Sequence, residues 1–303
     1  MPGSGSKRRS CSKASTDPLC YSVDCRQVQD LCGSCFLDTP EFTMQRIALG
    51  VEYNGAAFCG WQTQPSECAV QDALERALAG IAGEKIATVC AGRTDAGVHA
   101  LAQVVHFDTG AQRPESAWVR GTNALLPAGV AVTWARPVAH DFHARYAARE
   151  RCYRYVLLNH PLRPAVNFGR VGWFPLLLDL DPMRAAAQTL VGMHDFNAFR
   201  SAACQAKSPV RELRRLDIRR SGDYVVFELA ANAFLHHMVR NIVGSLVYVG
   251  KGKYGPAWIA AVLASRDRRL AAPTLEAAGL YLARVSYDAR WGLPPAGRDE
   301  WFT

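Results

Sequence analysis

The chain has 303 residues, 49% of them hydrophobic and 20% charged, which is typical of a globular protein and excludes a disordered one. Its formal net charge is +8, and residues 1–43 hold five basic and five acidic side chains, so the whole excess lies after them. A basic folded body favours a polyanionic partner, most often nucleic acid. A membrane span is not expected, since Arg240 and Asn241 interrupt the most apolar segment.

The first 43 residues differ in composition from the rest of the chain. They are rich in Ser, Gly, Cys and charge and show neither the strand period nor the helix period. We therefore expect residues 1–43 to be a disordered N-terminal extension. Regular patterning begins at Met44, which is an alternative start of the protein.

Five of the ten cysteines lie in this extension, and the other five are scattered without a pairing rhythm. Because Lys7-Arg8-Arg9 is followed by polar residues, no secretory leader is expected. A cytoplasmic, reducing compartment with free thiols is the default expectation. Zinc binding by the irregularly spaced cysteines of the extension is a weaker alternative; these are Cys20, Cys25, Cys32 and Cys35.

Strand and helix patterns alternate through the first half of the remaining chain. Asn54-Gly55 ends the first strand with a turn, and Gly83 suits the C-terminal end of the first helix. The predicted elements are a strand through Ile47, Leu49 and Val51, a helix over 70–81, strands over 86–90 and 101–108, a helix over 116–125 and a strand over 130–135.

A similar pattern follows in the second half. Asp181 is a plausible N-cap with Pro182 at the first helical position, and Gly192 is expected to end that helix. The predicted elements are a strand over 152–158, a helix over 181–191, strands over 213–219 and 224–230, a helix over 235–249, and further helical and strand segments over 258–264 and 279–287.

Each half therefore consists of strand, helix, strand, strand, helix and strand. This order predicts an α+β protein made of two units with antiparallel sheets. The boundary falls near residues 137–150, which gives an N-terminal half over 44–140, a C-terminal half over 141–293 and a tail over 294–303.

The run Ala91–Ala100 holds the strongest candidate for chemistry. Gly92 and Gly97 let the backbone turn sharply, so a loop between two strands is expected to present Arg93 and Asp95. Asp95 is the only possible anionic nucleophile in this loop, and Arg93 is a permanent cation two residues away. On this run alone, an ordinary turn is the simpler interpretation.

A second candidate is Arg240, which lies almost opposite the apolar stripe of its predicted helix and is free to face a cleft. His236 and His237 would diverge on that helix, and no third ligand accompanies them, so a metal site is not expected. His140 and His143 favour packing or RNA contact over metal coordination.

Five stretches, in order along the chain, together resemble the tRNA pseudouridine synthase I family (TruA-type). The Ala91–Ala100 run is similar to the catalytic motif of that family. The resemblance extends from about Met44 to Leu293. Besides the catalytic run, it rests on Ile47–Gly55, Phe58–Gln62, Asn123–Pro127 and Ala231–Gly244.

The resemblance implies an enzyme that converts uridine to pseudouridine at positions 38 to 40 of the tRNA anticodon stem-loop, without a metal or organic cofactor. It also implies two ferredoxin-like (RRM-like) halves whose sheets join across a central cleft. The expected assembly is a homodimer with tRNA as its partner.

The resemblance also implies roles for particular residues. Asp95 matches the catalytic aspartate, and Arg93 matches the arginine linked to base flipping. Tyr153 matches the tyrosine that packs on the target uracil, and Arg240 matches the arginine that pairs with the aspartate. The other substrate-binding candidates fall where the family contacts tRNA; they are Phe142, His143, Arg145, Tyr146, Gln205 and Lys207.

These residue types suit the reaction. A nearby guanidinium favours the ionised form of a carboxylate, and an ionised carboxylate can attack the sugar or the base, or stabilise an oxocarbenium-like species. The uracil must leave its stack, which costs a few kcal/mol, and a tyrosine ring returns about 1–3 kcal/mol by stacking.

Two other classes of protein compete with this interpretation. A non-catalytic tRNA-binding protein on the same scaffold would not need Asp95, so the intact carboxylate counts against it. A carbohydrate-active or nucleotide-cleaving enzyme would need a second carboxylate near Asp95, and the loop offers none. Purely structural roles also remain open at this point, a salt bridge for Arg240 and core packing for Tyr153.

Overall fold

The structure, a computed structural model, describes residues 44–295. The expectations of disorder and of a zinc site in residues 1–43 concern residues outside this range, as does most of the tail over 294–303.

Ten strands and five α-helices alternate along the described chain. In chain order they are β1 (Gln45–Tyr53), α1 (Val70–Ala82), β2 (Val89–Cys90), β3 (His99–Thr109), α2 (Thr122–Leu125), β4 (Val130–Val138), β5 (Glu150–Asn159), β6 (Gly172–Phe174), α3 (Leu180–Gln188), β7 (Gly192–Asp195), β8 (Val210–Ser221), β9 (Tyr224–Ala231), α4 (Met238–Gly250), α5 (Ala257–Ser265) and β10 (Leu280–Ser286). This confirms the predicted α+β class.

All ten strands belong to one sheet, in the order β4-β1-β3-β10-β5-β9-β8-β7, with β2 paired to β3 and β6 paired to β5. Most neighbours are antiparallel, as predicted, but β10 runs parallel to β3 and β6 runs parallel to β5. Because β10 is also antiparallel to β5, it joins the strands that come before residue 140 to those that come after it. The division into two ferredoxin-like halves stays a prediction.

Apolar faces of the helices cover this sheet. Val70, Leu74 and Leu78 on α1 are fully buried, as the helical spacing predicts. Met238 and Ile242 begin a similar buried stripe on α4. Burying each such side chain contributes about 1.5–3 kcal/mol, so these helices are held mainly by their contacts with the sheet.

Two predicted elements of the first half differ from the structure. The strand expected over 86–90 is reduced to β2, because only Val89 and Cys90 pair with β3. The helix expected over 116–125 contains a π-helical segment, Ala117–Gly121, before α2. A π-helical turn leaves no signal in hydrophobic spacing over so short a stretch.

The structure also corrects both predicted ends of α3 and the predicted start of α4. The N-cap of α3 is Asp179, whose side chain accepts a hydrogen bond from the backbone N–H of Asp181. The helix ends at Gln188, so Gly192 begins β7 instead of closing α3. Helix α4 starts three residues later than predicted, because His237 adopts the left-handed conformation with φ 63°.

Cys59 and Cys68 form a disulfide, so the expectation of free thiols is wrong for this pair. Cys90, Cys152 and Cys204 are free. Over residues 44–295, we find no helix with the length and apolar character that crossing a membrane requires.

Candidate active site

The loop between β2 and β3 carries Asp95 and is held firmly by its neighbours. The backbone N–H of Trp61 donates to the Thr94 carbonyl at 3.0 Å, and the Tyr53 hydroxyl lies 2.8 Å from Thr94 Oγ1. Gly60 also packs directly on the loop: with φ +99°, a Cβ added there would lie 2.9 Å from the Thr94 carbonyl oxygen. The backbone on either side of Asp95 is therefore fixed by contacts from the preceding segment.

Arg240 reaches the Asp95 carboxylate from α4. Its Nη1 lies 3.4 Å from Asp95 Oδ2, and its Nε donates to the Leu275 carbonyl at 2.7 Å. The carboxylate is about one-quarter exposed and the guanidinium less so. The guanidinium therefore places a positive charge beside the carboxylate in a partly desolvated setting. The two side chains that the sequence placed in one cleft do meet.

His236 and His237 also contact Asp95, which sequence reasoning missed. His236 Nε2 lies 3.1 Å from Oδ1 and His237 Nε2 lies 3.3 Å from Oδ2. The prediction that these rings diverge was wrong because it assumed a helix, whereas both residues precede α4 and His237 is left-handed. Burial lowers the pKa of His237 more than the negative Asp95 raises it, so this imidazole is neutral at neutral pH.

Tyr153 lies on β5 at the floor of the same region. It is buried and meets Phe234 edge to face, with ring centroids 5.0 Å apart. Burial, and then the charge of Asp95, raise the pKa of its phenol. The hydroxyl therefore stays protonated at physiological pH and can donate a hydrogen bond or a proton, but it does not act as a preformed base.

Asp95, Tyr153, His236 and His237 line a cleft of about 810 Å³ that is rich in arginine. Arg93 and Arg145, both predicted, are joined there by Arg151 and Arg211, which sequence reasoning missed. The Arg151 guanidinium donates to the carbonyls of Ala91, Ala148 and Asn232 at 3.0–3.1 Å, and to that of Arg145. Arg151 thus ties the start of the Asp95 loop to segments far away in sequence.

Not all of the other predicted substrate contacts line the cleft. Gln205 lines the cleft, whereas the exposed Lys207 lies outside the lining. Tyr146 is 76% exposed, and its ring lies 4.3 Å from that of His143 and 5.7 Å from the Arg145 guanidinium carbon.

Phe142, also predicted as a substrate contact, is fully buried. Its ring centroid lies 5.3 Å from that of Tyr287 and 5.2 Å from that of Trp291. Because this packing removes it from the surface, Phe142 supports the segment that carries Arg145 and offers no contact surface of its own.

Within residues 44–295, one group of side chains has the spacing of metal ligands. A carboxylate oxygen of Asp95 and one nitrogen each of His236 and His237 lie within 4.8 Å of one another.

A single carboxylate in an arginine-lined cleft, contacted by a further guanidinium in an α+β sheet protein, favours an enzyme that acts on a polyanion such as RNA. The particular family follows from comparison with known proteins. A family model for tRNA pseudouridine synthase matches residues 50–147 and 186–288. The chain belongs to the tRNA pseudouridine synthase family, which confirms the resemblance.

Individual relatives agree with this assignment over nearly their whole length. The chain is 61% identical over 251 residues to tRNA pseudouridine synthase A of Thiobacillus denitrificans, covering 83% of this chain and 96% of that protein. It is 59% identical to the protein of the same name from Burkholderia ambifaria, and the match covers 83% of this chain and 93% of that protein. The corresponding Nitrosomonas eutropha protein is also 59% identical, and the match covers 82% of this chain and 90% of that protein.

Proposed function

We propose that this tRNA isomerase converts uridine to pseudouridine at positions 38 to 40 of the anticodon stem-loop, with Asp95 as its nucleophile. Isomerisation of tRNA uridine follows from membership of the family and from relatives named tRNA pseudouridine synthase A. The contact of Arg240 with Asp95, whose side chain lines the arginine-rich cleft, is the observation that carries the catalytic proposal. A non-catalytic tRNA-binding protein is not favoured by these relatives.

The reaction exchanges one bond for another at a single nucleoside. The bond between N1 of uracil and C1′ of ribose breaks, the uracil rotates, and C5 bonds to C1′. The hydrogen on C5 then leaves as a proton, and N1 gains a proton, so the overall change is an isomerisation. The Asp95 carboxylate can attack the nucleoside or stabilise positive charge at C1′ while the base is detached.

Arg240 and Tyr153 support this step in different ways. The guanidinium, with Nη1 3.4 Å from Asp95 Oδ2, positions the carboxylate for the attack. The Tyr153 ring offers a stacking face for the uracil, worth about 1–3 kcal/mol, and its protonated hydroxyl offers a hydrogen bond. This stacking holds the base in place while it turns.

Access to the uridine requires base flipping, since a stacked base cannot reach a carboxylate at the floor of a cleft. The exposed Arg93 lies two residues before Asp95 on the same loop. We assign it to the space that the flipped base leaves in the stem, where it offsets part of the unstacking cost. Arg145 and Gln205 in the lining, with Tyr146 and Lys207 outside it, are assigned to the RNA backbone.

We propose that the enzyme is a homodimer. We also propose that it acts in the cytoplasm, where its tRNA substrate is found, and that it needs no cofactor. Support for a dimer comes from an exposed apolar segment between β5 and α3. Val166 is 94% exposed and Leu177 is 80% exposed, and Leu162 and Phe168 nearby are also largely exposed. Clustered apolar exposure of this kind is typical of a protein interface. Measuring the molecular mass in solution tests this part.

The proposed sites of modification in tRNA are tested by mapping pseudouridine in tRNA from a strain that lacks this protein. We expect pseudouridine to be missing at tRNA positions 38 to 40 in this strain. The wild-type gene should restore it, and a gene carrying Asp95→Asn should not. Loss at other positions would refute the anticodon assignment. Restoration by Asp95→Asn would refute the role of the carboxylate.

A further inference from the structure

The three side chains at the centre of the cleft have the separations of ligands around one metal ion. His236 Nε2 lies 3.1 Å from Asp95 Oδ1, and His237 Nε2 lies 3.3 Å from Oδ2. Two ligands bonded at about 2.0–2.1 Å to a tetrahedral ion lie roughly 3.3–3.4 Å apart. These two distances run to different oxygens of the carboxylate, and a single oxygen and the two nitrogens lie within 4.8 Å of one another. Small rotations of the side chains would therefore bring all three groups to one ion.

The backbone holds this arrangement in place. His237 has φ 63°, a left-handed conformation that is uncommon for a non-glycine residue. It turns two consecutive imidazoles toward one carboxylate, which two consecutive residues of a helix would not do. All three side chains are partly exposed to the cleft, so an ion can reach them from solvent.

The donor types select the class of ion. Two imidazole nitrogens and one carboxylate suit Zn²⁺, Co²⁺, Ni²⁺ and Cu²⁺, whereas Mg²⁺ and Ca²⁺ prefer all-oxygen sites. We propose that Asp95, His236 and His237 bind a divalent transition-metal ion of the Zn²⁺ class, and that the bound ion inhibits isomerisation by occupying the carboxylate. The inhibition rests on the proposed role of Asp95, whereas the binding does not.

Binding changes the site in a defined way. Each imidazole gives its Nε2 lone pair to the ion and carries its proton on Nδ1. Arg240, 3.4 Å from Asp95 Oδ2, opposes a second cation at that oxygen and is displaced from it. The site is therefore weaker than a closed structural zinc site, and a chelator reverses the inhibition.

The experiment titrates Co²⁺ into the metal-free full chain and records its absorption spectrum. Cysteines outside the Cys59–Cys68 disulfide, such as Cys90, Cys152 and Cys204, are competing ligands, but thiolates give strong sulfur-to-cobalt charge-transfer bands that nitrogen and oxygen ligands do not. We expect one Co²⁺ bound without those bands. Binding only through thiolates would overturn the proposal.

Variants identify the ligands. The double variant His236→Ala with His237→Ala is expected to weaken the nitrogen–oxygen site by at least about tenfold. Asp95→Asn, which conserves volume, is titrated in parallel in case the double variant fails to fold, with the same expectation. His140→Ala, at an exposed histidine outside the cluster, is the control and should bind as the wild type does. Unchanged affinity in Asp95→Asn, or in a folded double variant, overturns the proposal.

Activity assays separate the two parts of the proposal, metal binding and inhibition of isomerisation. Zn²⁺ should suppress tritium release from tRNA labelled at C5 of uridine, EDTA should restore it, and excess tRNA should raise the Zn²⁺ concentration required. Metal binding without inhibition overturns the inhibitory part. A protein that binds Co²⁺ as expected but releases no tritium in any condition refutes the proposed function and leaves the metal site standing.

Discussion

The contact of Gly60 with the Asp95 loop allows a sharp test of how precisely that loop must be placed. In Gly60→Ala the new methyl group would lie 2.9 Å from the Thr94 carbonyl oxygen and 3.1 Å from the Ala96 nitrogen. Ordinary contacts are about 3.5 Å or longer, so the loop must move by about 0.5 Å. These neighbours are backbone atoms, and a change of side-chain rotamer cannot relieve the clash.

Two consequences follow, and they can be measured separately. The positive φ of +99° costs alanine about 1–3 kcal/mol in free energy of unfolding. Since a displacement of 1 Å at a reacting group can cost about 100-fold in rate, a shift of half that size should lower kcat by roughly 10- to 100-fold. Affinity for tRNA should change less than kcat, because Arg145 and Arg211 of the cleft lie outside this loop and only Arg93 moves with it.

The assays are urea unfolding and tritium release under single-turnover conditions with saturating tRNA. Gly83→Ala is the matched control: it has φ +75° at the end of α1, with no atom within 4 Å of the added Cβ. It should lose stability without losing kcat. The reasoning is refuted if Gly60→Ala keeps wild-type kcat, or if Gly83→Ala loses as much.

Three further predictions address the charge of the site and the core. Asp95→Asn should abolish turnover and leave tRNA affinity within about tenfold; substantial residual tritium release would exclude a nucleophilic role. If Arg145, Lys207 and Arg211 contact phosphates, raising salt from about 50 to 200 mM should weaken tRNA binding by roughly 20- to 40-fold, and a flat response would contradict those contacts. Burial lowers the pKa of His106 from 6.5 to about 4, so the unfolded chain binds the extra proton and stability should fall as pH drops from 6.5 toward 4. Urea unfolding at several pH values should show this slope reduced in His106→Gln, and an equal slope in both proteins would contradict the assignment.

Long, regular elements could be predicted from the sequence because burial imposes their spacing. On β1 and β3 the strand period was clear, and Val70, Leu74 and Leu78 gave the inner face of α1. Short or irregular elements left no such signal. β2 has only two paired residues, and β6 and β7 have three and four, so their periods cannot be recognised in the sequence.

At the site, the sequence supplied Asp95 and Arg240 but not the side chains between them. His236 and His237 were misjudged because no Ser, Thr, Asp or Asn marks the start of α4, whose N-cap residue makes no side-chain capping bond. Arg151 was missed because its guanidinium is satisfied by carbonyls distant in sequence. A contact of that kind depends on the sheet and leaves no local pattern.

The position of β10 has a consequence for synthesis of the enzyme. This strand lies near the end of the described chain, yet it pairs with β3 on one side and β5 on the other. While the ribosome is still translating residues before 280, the two groups of strands have no β10 between them, and the cleft that they form together is incomplete. A nascent or prematurely terminated chain that lacks β10 is therefore expected to be inactive on tRNA, so that modification begins only after this strand has been synthesised.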